Sequence, residues 1–141
     1  MGRKLIGSVG LAVAGGTPSP YTRTTSFVIA CSDETTAIDS TGTKVTFYMP
    51  FDFTVASVRA SLTTTSSSGT PTIDISEDGT SIMTTTKITI DAGDLISTES
   101  ATQPVLTDTA LADESKITID VDVTGTDATG LKVYIIGYKT L

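Results

Sequence analysis

The chain is predicted to be all-β, an antiparallel β-sandwich most simply built as an eight-stranded jelly roll. Three observations point there. Ile117-Thr118-Ile119-Asp120-Val121-Asp122-Val123 alternates apolar and polar side chains without a break, and a strand sends successive side chains to opposite faces. About a fifth of the residues are threonine, a residue that favours pleated, half-buried surfaces. Short alternating stretches recur between Gly- and Ser-rich turns, and no 3.6-residue apolar period is present. With 141 residues the expectation is one domain with one core.

The elements follow in order. Residues 1–24 form an extended N-terminal arm and linker, and residues 25–141 the sandwich. In the arm, Arg3 and Lys4 precede a run containing Leu5, Ile6, Val9, Leu11 and Val13. A basic start, a short apolar run and Ala12-Val13-Ala14 also fit a secretory signal peptide. The run is glycine-rich and weakly hydrophobic, however, so an ordered arm lying on a neighbouring subunit is the expectation. The run is too short to span a membrane. Thr17-Pro18-Ser19-Pro20-Tyr21 reads as a stiff, extended linker.

Thr25–Cys31 is the first strand, with Phe27, Ile29 and Cys31 on one face and Val28 on the other. Lys44–Met49 places Val45, Phe47 and Met49 inward, and Pro50 ends it. Thr54–Thr64 turns Val58, Ala60 and Leu62 in. Thr63–Thr70, without an apolar anchor, is expected to be an exposed loop tip. Thr72–Ser76 carries Ile73 and Ile75 inward and Asp74 outward. Asp78-Gly79 is a hairpin signal, returning along Ser81–Ile90. A structureless Asp91–Ser115 would be unusual in a compact domain. A strand near Gln103–Thr107 and a helical turn near Leu111–Glu114 are therefore expected. In Ile117–Val123, Ile117, Ile119, Val121 and Val123 form the inward row. Leu131–Tyr138 closes the domain with Leu131, Val133 and Ile135 on one face and Tyr134, Ile136 and Tyr138 on the other. That second face needs a cover.

Composition excludes several chemistries. The chain has no His, no Trp and no Asn. Ser-His-Asp and Cys-His catalysis are thereby ruled out, and the usual zinc sites lose a ligand. The lone Cys31 cannot form an internal disulfide and reads as a small buried hydrophobe. A net charge of −7 argues against sequence-independent nucleic-acid binding. Asp74, Asp120 and Asp122 could gather round a calcium ion if their strands are neighbours. A solvated acidic face is the favoured reading of the same residues. No catalytic residue and no cofactor is assigned.

The stretch from Phe27 to Tyr138 resembles a group of small β-rich virion proteins of tailed phages. The resemblance sits in Thr43–Phe51, Val58–Leu62, Ile117–Asp122 and Gly130–Tyr138. It implies a non-enzymatic capsid decoration (cement) protein on the capsid surface. The implied partners are the major capsid protein and copies of itself, as homotrimer or homodimer, with neither nucleic acid nor membrane. The expected partner-binding residues are Arg3, Lys4, Leu5, Ile6, Val9, Leu11, Val13, Tyr21, Tyr134, Ile136 and Tyr138. The alternative is a host-recognition or carbohydrate-binding module of a tail fibre or spike.

Overall fold

Two inward-facing apolar rows, one from a central strand of each sheet, set the architecture. In the computed structural model, which describes residues 23–139, Ile117, Ile119 and Val121 point into the core from β8 (Lys116–Val123). Leu131 stands just before β9 (Lys132–Lys139), which adds Val133 and Ile135. All six side chains are at most 1% exposed. Burying an aliphatic side chain of this size contributes about 1.5–3 kcal/mol, so these rows anchor both sheets.

The other strands are β1 (Arg23–Ala30), β2 (Gly42–Tyr48), β3 (Phe53–Ser61), β4 (Thr72–Glu77), β5 (Thr80–Ser81), β6 (Ile88–Thr89) and β7 (Ala110–Leu111). One sheet has the order β1-β9-β3-β7. The other has the order β2-β8-β4-β5, with β6 also pairing with β4. Every pairing is antiparallel. The all-β expectation is met, although the described residues form nine strands rather than eight, because the expected strand Ser81–Ile90 is broken into β5 and β6. The Ser81 Oγ accepts the Met83 N–H at 2.9 Å, so the chain turns inward there. Ile82 and Met83, both fully buried, fill the core from a bend instead of a ladder.

Phase is corrected at three bulges. In β3, Phe53 and Val55 point inward and so do Val58 and Ala60, which strict alternation forbids. The pairing with β9 shifts between Val55 and Ser57, so one extra residue restores the inward row. A shift between Thr43 and Val45 does the same in β2. In β8, Ile73 faces Val121 while its neighbour Thr72 faces Val123, leaving Asp122 as the extra residue. Val123, expected inward, is therefore turned out and 45% exposed.

The turns follow local chemistry where it is strong. Asp78 and Gly79 both have positive φ, 50° and 88°, the primed hairpin turn that Asp-Gly favours. Other connections depart from expectation. Thr63–Thr70 is mostly exposed, as expected, but it is anchored at one serine. Ser66 is fully buried; its hydroxyl donates to Ser68 O at 2.6 Å and accepts the Thr126 N–H at 3.0 Å. Leu111–Glu114 is the end of β7 and a tight turn closed by Ser115 N–H to Ala112 O at 3.0 Å, not a helical turn. The helical turn of the described residues is a 3-10 turn at Ser97–Glu99. Near Gln103–Thr107 a lone bridge joins Thr86 and Val105 in place of a strand.

Gly137 lies inside β9, where a Cβ would overlap Thr54 O and meet Phe53 Cε2 at 2.9 Å. The backbone of β3 approaches there more closely than a side chain allows. Gly137→Ala is expected to lower stability by about 3 kcal/mol, measured as the midpoint of urea unfolding. An unchanged midpoint would show that β3 and β9 can part at this point without cost.

Candidate functional site

The outer face of the β1-β9-β3-β7 sheet carries the most distinctive surface of the described residues. Alternation turns Tyr134, Ile136 and Tyr138 of β9 to this side, where all three are half-buried. Val28 of β1, cross-strand from Tyr134, is 58% exposed. Ser57, Arg59 and Ser61 of β3 share the face. Ser61 Oγ and Tyr134 Oη lie 3.0 Å apart, which fixes the tyrosine ring along the sheet.

A polar-stitched loop, residues 91–107, forms one wall. The Ala60 N–H donates to Ser97 Oγ at 2.9 Å, and the Leu62 N–H donates to Leu95 O at 2.8 Å. Gln103 Nε2 donates to Ser97 O and Ser100 O at 2.9 and 2.8 Å. Ser100 Oγ in turn accepts the Asp91 N–H at 2.8 Å. Ser97 and Ser100 are buried, 1% and 5% exposed, while Leu95 and Ile96 stand out at 44% and 43%.

Between loop and sheet lie two adjoining hollows. One, of about 240 Å³, is lined by Arg59, Ser61, Ile96, Thr98, Tyr134 and Ile136 among others. The other, of about 420 Å³, is lined by Ser57, Arg59, Thr98, Gln103 and Leu106 among others. Arg59 and Thr98 belong to both. The groove offers one guanidinium, hydroxyls and apolar walls. Its lining residues include no carboxylate and no thiol.

The second sheet gathers the predicted acidic residues. Asp74 and Asp120 are cross-strand partners, and Asp122 follows on the bulge. Lys87 Nζ sits among them, 3.1 Å from Asp74 Oδ2 and 2.8 Å from Asp122 Oδ2. Asp74 is not on a wet face: it is 6% exposed and accepts the Ser81 hydroxyl at 2.5 Å. The two carboxylates, Asp122 first and then Asp74, hold the Lys87 ammonium above its ordinary range. The lysine thus pairs with two of the three carboxylates considered for calcium, and among the described residues no group of three or more metal-ligating side chains is present.

Of the predicted partner-binding residues, Tyr134, Ile136 and Tyr138 fall together on the groove face. Arg3, Lys4, Leu5, Ile6, Val9, Leu11, Val13 and Tyr21 lie outside the described residues. Arg59, Ser97 and Gln103 were not singled out by sequence reasoning. Arg59 was legible only as an outward residue of its strand, and the serine and glutamine contacts have no sequence period. Cys31 is buried, 7% exposed, and burial pushes its thiol up to about 11, in keeping with a packing role. No helix of the described residues is long and apolar enough to cross a membrane. No family model, curated protein or solved structure matches the chain, so the virion resemblance stands on the quoted residues alone.

Replacing Lys87 by Met leaves Asp74 buried beside two other carboxylates. The expected cost is on the order of 2 kcal/mol at neutral pH. Because the folded-state lysine is raised, its contribution is full below the ordinary lysine range and fades as pH rises through the raised value. The stability gap between wild type and Lys87→Met should hold from pH 7 to about 10 and narrow above that. Chemical denaturation across that range measures it; a gap that narrows below pH 9 would contradict the pairing.

Proposed function

We propose that the protein is a non-enzymatic structural component of a tailed-phage virion, a capsid decoration subunit that bridges neighbouring major capsid protein subunits at the capsid surface. The observation that carries this reading is the outer sheet face. Val28, Tyr134, Ile136, Leu95 and Ile96 present an apolar surface beside Arg59, on an otherwise acidic, hydroxyl-rich chain. Exposed apolar area rimmed by polar groups is the mark of a docking surface. A β-module stitched by antiparallel ladders suits a passive load-bearing role.

The sheet order supports the jelly-roll reading within this proposal. Successive strands β1, β2, β3 and β4 alternate between the sheets, as do β7, β8 and β9. With β5 and β6 sharing one place beside β4, eight positions result, paired as in two Greek keys. Homotrimers or homodimers fit the same reading, since closed symmetry suits repeated sites on a shell.

A specific observation favours the second reading as well. The groove beside Tyr134 combines an aromatic ring, hydroxyls and a guanidinium, the kind of lining that holds a saccharide. A host-recognition or carbohydrate-binding module of a fibre or spike would use it directly.

Purified protein is expected to co-sediment with decoration-free phage capsids and to leave a glycan array and host cells unlabelled. Ile136→Lys should reduce capsid occupancy at least tenfold while the unfolding midpoint stays near wild type. Labelling of glycans or cells without capsid binding would replace the first reading with the second.

A further inference from the structure

The sandwich is closed on one side and open on the other. On the closed side, the chain leading to β7 is tied to the β5–β6 segment of the opposite sheet: the Thr107 N–H donates to Ile82 O at 2.7 Å and the Val105 N–H to Thr86 O at 3.0 Å. The β7 edge of one sheet and the β5–β6 edge of the other therefore share a side. The remaining edges, β1 and β2, lie together on the opposite side. There Phe27 and Ile29 of β1 and Val45 and Phe47 of β2 point toward the core yet stay only half-buried. Among the described residues β1 pairs only with β9, so its other edge presents unpaired backbone donors and acceptors. A long free edge beside half-covered core side chains invites an added strand.

Residues 1–22 precede β1, and part of that segment has the pattern such a strand needs. Leu5, Val9, Leu11 and Val13 occupy alternate positions, with Gly7 between the first two. The opposite row, Ile6, Ser8, Gly10 and Ala12, is mostly small. As a strand, Leu5–Val13 would span roughly 26 Å, against about 23 Å for β1. One apolar row could cover Phe27, Ile29, Val45 and Phe47 while the small row faces out.

We infer that Leu5–Val13 of a second copy of this chain adds to the free edge of β1 and closes the open side of the sandwich. The prolines decide between the chain's own segment and a neighbour's. Proline favours an extended chain, so with Pro18 and Pro20 in the linker a reversal would fall to Gly15-Gly16. From Arg23 out to Gly16 is roughly 23 Å, and as much chain is needed to return. That return consumes about residues 8–14, so within one chain only Leu5 and Ile6 of the apolar set would reach β1. On a second copy the whole row can seat. The inference does not rest on the virion reading, because the open edge and the patterned segment are present whatever the assembled protein binds.

Cross-linking between two differently marked populations tests it on the full chain. One population carries Ser8→Cys, in the small row that faces out, and the other Ser26→Cys on the exposed face of β1. They are unfolded, refolded together and treated with a short bismaleimide. Cys31 is buried, with its thiol pushed up to about 11, and is the same in both. A mixed two-chain product is expected, absent when either marked residue is omitted. Deleting residues 1–16 should convert the full-length oligomer to single chains by light scattering, with the β-sheet circular dichroism retained. Leu11→Asp should weaken assembly at least tenfold without removing chain. Single chains at every concentration for the intact protein would overturn the inference. So would a product formed only within one chain when both cysteines are on the same molecule, or an oligomer untouched by the deletion.

Discussion

Each sheet must keep its inward row in phase with the other across one shared core. A strand's side chains alternate strictly, so a slip of one residue turns a whole row to water. β8 and β9 set the phase, since each is paired on both sides and contributes fully buried aliphatic side chains. The flanking strands adapt through single-residue bulges at β2 and β3. Those bulges let Val45 follow Gly42 and Val58 follow Val55 without leaving the core side. The same device in β8 ejects Asp122 and Val123, and that ejection places Asp122 against Lys87.

The chain's wealth of serine and threonine is spent in the loops as much as on the sheet faces. Ser66 joins the Thr63–Thr70 segment to the loop after β8, Ser97 fastens residues 91–107 to β3, and Ser81 turns the chain into the core while donating to Asp74. Each replaces a ladder bond with a side-chain bond to backbone or carboxylate, which lets irregular segments lie against the core with their backbone groups paired. The wall of the groove is a product of this stitching. Its shape therefore depends on small hydroxyl residues that have no apolar signature.

Two of the apolar surfaces among the described residues differ in geometry. The outer face with Val28, Tyr134 and Ile136 is broad and bordered by a rigid loop, which suits docking against another folded surface. The β1–β2 side is a slot with unpaired backbone along one rim, which suits an extended segment. A module with both can be joined to its own kind through one and to a larger partner through the other. Effective concentration would then strengthen attachment without new contacts at either site.

Much of the strand inventory was legible because burial writes a period-2 pattern. Ile117–Val121, Leu131–Ile135 and the Asp78-Gly79 turn could be placed from residues alone, since alternation and a left-handed turn each have a local cause. The half-exposed row Tyr134, Ile136 and Tyr138 was also visible as a strand apolar on both sides. Other features were not. The outward turn of Val123, the break between Ser81 and Ile88, the burial of Asp74 and the groove around Arg59 depend on which strand lies beside which. Pairing register and side-chain bonds across 37 positions, as between Ala60 and Ser97, leave no local trace. The sequence by itself determined that the chain would be a two-faced β structure, because each strand's own alternation demands a core on one side. The tertiary structure alone decided where phase breaks, which charges meet and which edge stays open, because those depend on long-range contacts between segments whose local patterns are the same.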